Sequence, residues 1–172
     1  MKKNSINIRK FKPQDAQRVK ELIASILEKE FSLHQSTFPY NDLADVAATY
    51  GGRRDIFLVA EDKTNGVVGT IAIKEDDNNT ALLRRIFVDA GYRGFGIGKD
   101  LLIRAIEFCE EQNYRIINFC STDKMTAAIS LCQKNGFRRR AAMPLDNVTL
   151  LRFSRRLRGA RRSKEKEAAC AC

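Results

Sequence analysis

Val19, Leu22, Ile23, Ile26 and Leu27 fall at the i, i+3, i+4, i+7, i+8 spacing of a helix with one buried face. Pro13 ahead of them suits a helical first turn. A short strand is predicted before this helix, over 6–10. A second, shorter helix is predicted over 43–50, ended by Gly51-Gly52. The rhythm then changes to strands. Two apolar runs, 56–60 and 67–73, are joined through Thr64-Asn65-Gly66, and an Asn-Gly pair between such runs signals a hairpin. A polar turn over 75–79 leads to a third run, 81–88. Leu101, Leu102, Ala105, Ile106 and Cys109 form a second helical stripe. A strand over 115–120 follows, then a helix over 126–134 stopped by Asn135-Gly136. Phe137 opens a last pair of strands, the second near 148–153. The order β-α-α-β-β-β-α-β-α-β-β predicts an α/β (α+β) fold. Hairpin connections early and a crossover helix later make its sheet mixed.

Composition adds bounds. The 172 residues are 44% hydrophobic, enough for one cored domain without a disulfide or metal staple. That domain is expected over 1–157, followed by a basic, disordered tail over 158–172. The net charge of +10 is uneven: between Arg152 and Glu167 lie eight basic residues and only two acidic ones. No run approaches the ~18 apolar residues of a membrane helix. The start, Met1-Lys2-Lys3, leads to no apolar signal core. The chain is therefore expected to be cytoplasmic, away from membranes, with Cys109, Cys120, Cys132, Cys170 and Cys172 as reduced thiols. Neither the cysteine spacing nor the single His34 predicts a metal site.

The most informative stretch is Val88-Asp89-Ala90-Gly91-Tyr92-Arg93-Gly94-Phe95-Gly96-Ile97-Gly98-Lys99, between a strand and a helix. Alternate glycines let several N–H groups converge, and the helix that follows adds its dipole and unpaired first-turn donors. With Arg93 and Lys99 this is a phosphate or pyrophosphate cradle. It is not a Walker loop, because Arg93 stands at the first glycine position and Asp100 where a Ser/Thr is needed. The G-x-G-x-G spacing is not the dinucleotide fingerprint either.

The V-x-x-x-x-R-G-x-G-I-G pattern on a strand-loop-helix resembles the acetyl-coenzyme A signature of the GCN5-related N-acetyltransferase (GNAT) superfamily. So do the hairpin of Phe57-Leu58-Val59-Ala60-Glu61 with Gly66-Val67-Val68-Gly69, the strand Leu83-Arg84-Arg85-Ile86-Phe87-Val88, and the helix from Ala127 into Gly136-Phe137. The resemblance covers about 6–153. It implies a mixed, mostly antiparallel central sheet with flanking helices, in which the parallel strands 81–88 and 115–120 splay apart to admit the cofactor's pantetheine arm. Ile86, Phe87 and Val88 would pair with that arm, and Arg93, Gly94, Phe95, Gly96, Ile97, Gly98 and Lys99 would hold the pyrophosphate. The implied activity is transfer of acetyl from acetyl-CoA to a primary amine of a small molecule, an amino acid or related metabolite, by direct attack on the thioester. Alternatives are an acyl-CoA-binding protein with little turnover, and a protein-directed acetyltransferase docking through its basic tail. A monomer or homodimer is expected, with no nucleic-acid partner.

Two positions depart from the family pattern. Where relatives carry a general-acid tyrosine this chain has Cys132, which is either that acid or a small buried hydrophobe. Where close relatives carry a glutamate base it has Leu82, leaving Glu61, Glu75 and Asp76 as candidate bases. Phe38, Tyr40 and Arg85 are the candidate acceptor contacts, Arg85 through a substrate carboxylate.

Overall fold

The computed structural model describes residues 6–31, 41–145 and 147–157. Seven strands form one sheet: β1 (Ile6–Lys10), β2 (Ile56–Asp62), β3 (Gly66–Asp77), β4 (Thr80–Val88), β5 (Ile116–Thr122), β6 (Arg138–Leu145) and β7 (Val148–Arg156). Their spatial order is β1-β2-β3-β4-β5-β7-β6. All neighbours are antiparallel except β4 and β5. The helices are α1 (Ala16–Ile26), α2 (Asn41–Ala44), α3 (Val46–Thr49), α4 (Ile97–Glu111) and α5 (Thr126–Lys134). A single π-type turn, Leu27–Phe31, prolongs α1.

At β2 the sheet is covered on both faces, which is why the strand is apolar from Ile56 to Ala60. Ile56, Leu58 and Ala60 pack into the cluster with Leu101, Leu102 and Ala105 of α4. Phe57 and Val59, at the intervening positions, join the second cluster with Val19, Leu22 and Ile23 of α1. Period-two alternation between two apolar layers reads in sequence as a continuous apolar run. The α1 stripe is buried as predicted, each residue at most 6% exposed.

Two expectations change. The predicted helix over 43–50 is two short turns, α2 and α3, broken at Asp45. The extended Asp45 turns its carboxylate onto the Ala48 N–H at 2.9 Å, starting a new helix instead of continuing the old one. The basic C-terminal charge is also not all tail: Arg152, Arg155 and Arg156 belong to β7. Residues 158–172, with Cys170 and Cys172, lie outside the described residues, as do His34, Phe38 and Tyr40. No helix among the described residues is long and apolar enough to cross a membrane.

Candidate active site

The parallel pair β4–β5 holds its register only from Thr80↔Ile116 to Leu83↔Phe119. Beyond it β5 pairs only with β7, through Thr122↔Leu150, and β4 pairs only with β3, through Val88↔Gly69. The strands part at Leu83/Phe119, and a cavity of about 220 Å³ opens there, walled by Arg84, Arg85, Ile86, Phe87, Asn118 and Cys120 among others. A second cavity of about 340 Å³ adjoins it, sharing Ile86, Phe87, Met125 and Ala128, and reaches the glycine loop.

A bulge in β4 lies where the strands part. Between Thr70↔Phe87 and Ala72↔Arg84, β4 spends one more residue than β3. Arg85 absorbs it at φ 52°, a left-handed conformation that costs a non-glycine residue about 1–3 kcal/mol. Thr70 Oγ donates to the Arg85 carbonyl at 2.7 Å and holds the kink. In a regular strand neighbouring side chains point to opposite faces. Here both Arg84 and Arg85 reach Asp42. Arg85 is buried and grips the carboxylate with two hydrogen bonds, Nε at 2.9 Å and Nη2 closer still. Tyr50 donates its hydroxyl to the same carboxylate at 2.5 Å. Burial alone would raise the Asp42 carboxyl. Hydrogen bonds from Arg85 and Tyr50 outweigh burial and hold the carboxyl below the ordinary carboxylate range. Burial and the Asp42 hydrogen bond push the Tyr50 hydroxyl up, so it stays protonated.

The glycine loop has the form its sequence predicts. Gly94 and Gly96 sit at φ +83° and +84°, conformations that favour glycine, and a Cβ at Gly94 would meet nothing within 4 Å. Gly96 caps this fifteen-residue helix with no side chain of its own to accept from the first-turn N–H groups. Arg93, Gly94, Gly96, Ile97, Gly98 and Lys99 line the larger cavity with Ile86, Phe87 and Val88. Phe95 is 41% exposed and is not part of that wall. The Phe87 carbonyl lies toward Gly69 on β3. Alternation along β4 therefore turns the main-chain groups of Ile86 and Val88 to the opening, where Arg93 Nε already donates to the Val88 carbonyl at 2.9 Å. The Arg93 guanidinium also pairs with both oxygens of Glu30, at 2.7 and 2.8 Å, across the cavity mouth.

The structure relocates the candidate acid–base groups. Cys132 is fully buried in the α4-side core, absent from both cavity walls, and burial pushes its thiol up to about 12. This is the environment of a packing hydrophobe. Cys132→Ala is expected to cost about 1–2 kcal/mol of stability. In thermal unfolding and turnover assays, a kcat within two-fold of wild type fits packing; a loss of kcat beyond ten-fold would restore the acid role. Glu61 shares Arg9 with Asp15, at 2.7 Å to each. Glu75 pairs with Arg54 at 2.6 Å, and Asp76 is exposed at the end of β3. None of the three lines either cavity; among the described residues the only acid in those walls is Glu30. Arg85, the expected acceptor contact, contributes to a wall but is committed to Asp42. Asn118, Met125 and Glu30 went unnoticed in the sequence, because each reaches the site through packing and not through a local motif.

Comparison with known proteins follows the same lines. The profile described as Acetyltransferase (GNAT) family matches residues 20–137. A GNAT-family acetyltransferase from Staphylococcus aureus Mu50 superposes with a TM-score of 0.79 at 31% identity, covering 89% of this chain and 99% of that one. The N-acetylaspartate synthetase of Danio rerio is 37% identical over 101 residues, 58% of this chain and 36% of that protein. An uncharacterized N-acetyltransferase of Schizosaccharomyces pombe is 27% identical over 159 residues, 89% of this chain and 97% of that protein. The chain thus spans about a third of the length of the synthetase it matches.

Proposed function

Since this chain belongs to the acetyltransferase (GNAT) family, we propose that it transfers an acetyl group from acetyl-CoA to the primary amine of a small molecule, an amino acid or related metabolite. The observation that carries the reading is the continuity of the two cavities. The phosphate-type cradle at the α4 N-terminus opens, past Ile86 and Phe87, into the gap where β4 leaves β5.

The residues fit acetyl-CoA. The uncapped α4 turn, the left-handed Gly94 and Gly96, and the charges of Arg93 and Lys99 suit a pyrophosphate. The apolar wall of Ile86, Phe87, Met125 and Leu131 suits a pantetheine arm. When bound, acetyl-CoA supplies the activated thioester. The chain supplies position and field. Ile86 and Val88 present main-chain groups to the opening, and an N–H there can hold the oxygen charge that builds during attack on the carbonyl. No side chain need form a covalent intermediate, so the reading does not depend on a nucleophile–base pair among the described wall residues. A cytoplasmic setting, with Cys109, Cys120 and Cys132 as free thiols, and a monomeric or homodimeric state complete the proposal.

Calorimetry with acetyl-CoA, paired with thiol release across a panel of amines, tests it. Micromolar or tighter binding with acceptor-dependent release is the expected result. Binding with no release across the panel would make the chain an acyl-CoA-binding protein instead.

Glu30 provides an independent check on the cradle. Its carboxylate occupies the Arg93 fork that a pyrophosphate would use. An exposed pair of this kind is worth about 0.2–1 kcal/mol. Glu30→Gln should therefore tighten acetyl-CoA binding about two- to five-fold by calorimetry. Weaker binding would mean that Glu30 aids the cofactor rather than competing with it.

A further inference from the structure

The smaller cavity carries a charge that no described group balances. Among the described residues its walls contain two cations, Arg84 and Arg85, and no acid. The nearby acid is Asp42, and Arg85 takes both of its oxygens while Tyr50 donates to one of them. Arg84 is left half-exposed, its side chain 39% accessible, and among the described residues its one ionic contact is Asp42 at 3.9 Å, beyond hydrogen-bonding distance. The segment 32–40 between α1 and α2 holds no Asp or Glu that could neutralise it. Among the described residues one carboxylate thus serves two guanidinium groups, which leaves about one unit of positive charge on the cavity walls.

We propose that Arg84, with the amide of Asn118 on the facing strand, binds a carboxylate of the acceptor, so that the preferred substrates are amines that also carry an acid group. This rests on the N-acetyltransferase reading and deepens it. The planar guanidinium fork matches a carboxylate in a bidentate pair. Asn118 is buried, lies in register with Leu82, and lines the same cavity with a donor and an acceptor. The cavity, about 220 Å³, falls below the roughly 300–1,000 Å³ of drug-sized sites and suits a small acceptor. The bulge gives the arrangement its reason: by breaking alternation at Arg85 it brings both arginines to one carboxylate at the point where the strands part. Arg85 acts as a positioning residue. By absorbing Asp42 it keeps that carboxylate from closing on Arg84. A neutral or cationic amine would leave Arg84 without a counter-charge inside the cavity, and a polyamine would meet it as a like charge.

The test compares the common amino acids with their carboxamides and their decarboxylated amines, by thiol release, in wild type and in Arg84→Gln. Wild type should show kcat/KM at least ten-fold higher for the acids. Arg84→Gln should raise KM for the acids ten- to a hundred-fold. It should leave the carboxamides within two-fold and the KM for acetyl-CoA unchanged; Arg84→Lys should recover only part of the loss. Equal use of acids and carboxamides by wild type would overturn the proposal, as would an equal loss for both in Arg84→Gln. If no amine of any class releases thiol, the acetyltransferase reading fails first. Calorimetry with L-aspartate then decides the subsite separately: binding that Arg84→Gln abolishes sustains it, and binding that is absent or unaffected by Arg84→Gln overturns it.

Discussion

Asp42→Ala is expected to destabilise the protein by about 3–5 kcal/mol, because it removes one partner of a buried ion pair and leaves the Arg85 guanidinium without the carboxylate it grips. For a chain of this size that is a drop in Tm on the order of 10 °C. It also removes the acceptor of the Tyr50 hydroxyl and the ionic contact of Arg84. The left-handed Arg85 loses both hydrogen bonds to Asp42 and keeps the Thr70 bond to its carbonyl. Arg85→Met alone should cost a comparable amount, since it leaves a buried carboxylate. The double variant should be more stable than either single one, because removing both charges removes the desolvation cost with the attraction. Thermal unfolding of the four proteins checks this, and strictly additive losses would mean that the pair is not the coupled unit described. The pH dependence has a definite sign. Asp42 and Asp15 are both held below the ordinary carboxylate value, so their contribution is complete above about pH 4 and is lost as pH falls through the lower, folded values. In the Asp42→Ala variant the Asp42 part of that acid sensitivity should vanish and the Asp15 part should remain.

Gly96→Val should raise the KM for acetyl-CoA about a hundred-fold. Gly96 sits at φ +84° as the residue that opens α4, and a β-branched residue there costs at least 1–2 kcal/mol if the backbone holds. If the backbone instead relaxes, the first-turn N–H groups turn away from the cradle. Two charge-assisted hydrogen bonds at about 1.5 kcal/mol each account for the expected factor. Acetyl-CoA affinity by calorimetry should fall in parallel with the kinetic effect. Gly91→Ala is the control, because Gly91 has no positive φ and its Cβ would meet only the Asp89 carboxylate, at 3.4 Å. A wild-type KM in Gly96→Val would remove the glycine loop from the cofactor site.

The elements that sequence located are those whose signal is local. The α1 and α4 stripes, the Asn65-Gly66 hairpin and the glycine loop each depend on residues within a few positions of one another, and each is found where it was predicted. Where prediction slipped, the competing signal was local too: the Asp45 cap splits one expected helix into α2 and α3. The resemblance to the acetyltransferases rested on the same short motifs, and the fold bears it out.

The acid–base and acceptor side was hardly legible, and the reason is distance along the chain. Arg85 and Asp42 are 43 residues apart, and no pattern on either strand or loop announces their pairing. Arg84 and Arg85 are neighbours and read as equivalent until a one-residue bulge buries Arg85 against Asp42 and leaves Arg84 half-exposed in the same wall. Cys132 stands at a family position for an acid, yet packing against the α4-side core takes it out of both cavity walls. Periodicity and glycine spacing, acting through local sterics, thus located from the sequence alone the order of strands and helices and the glycine loop between β4 and α4. Only the tertiary structure decided where β4 leaves β5, which charges remain unbalanced there, and which titratable groups the core withdraws, because each depends on desolvation and contacts between segments far apart in the chain.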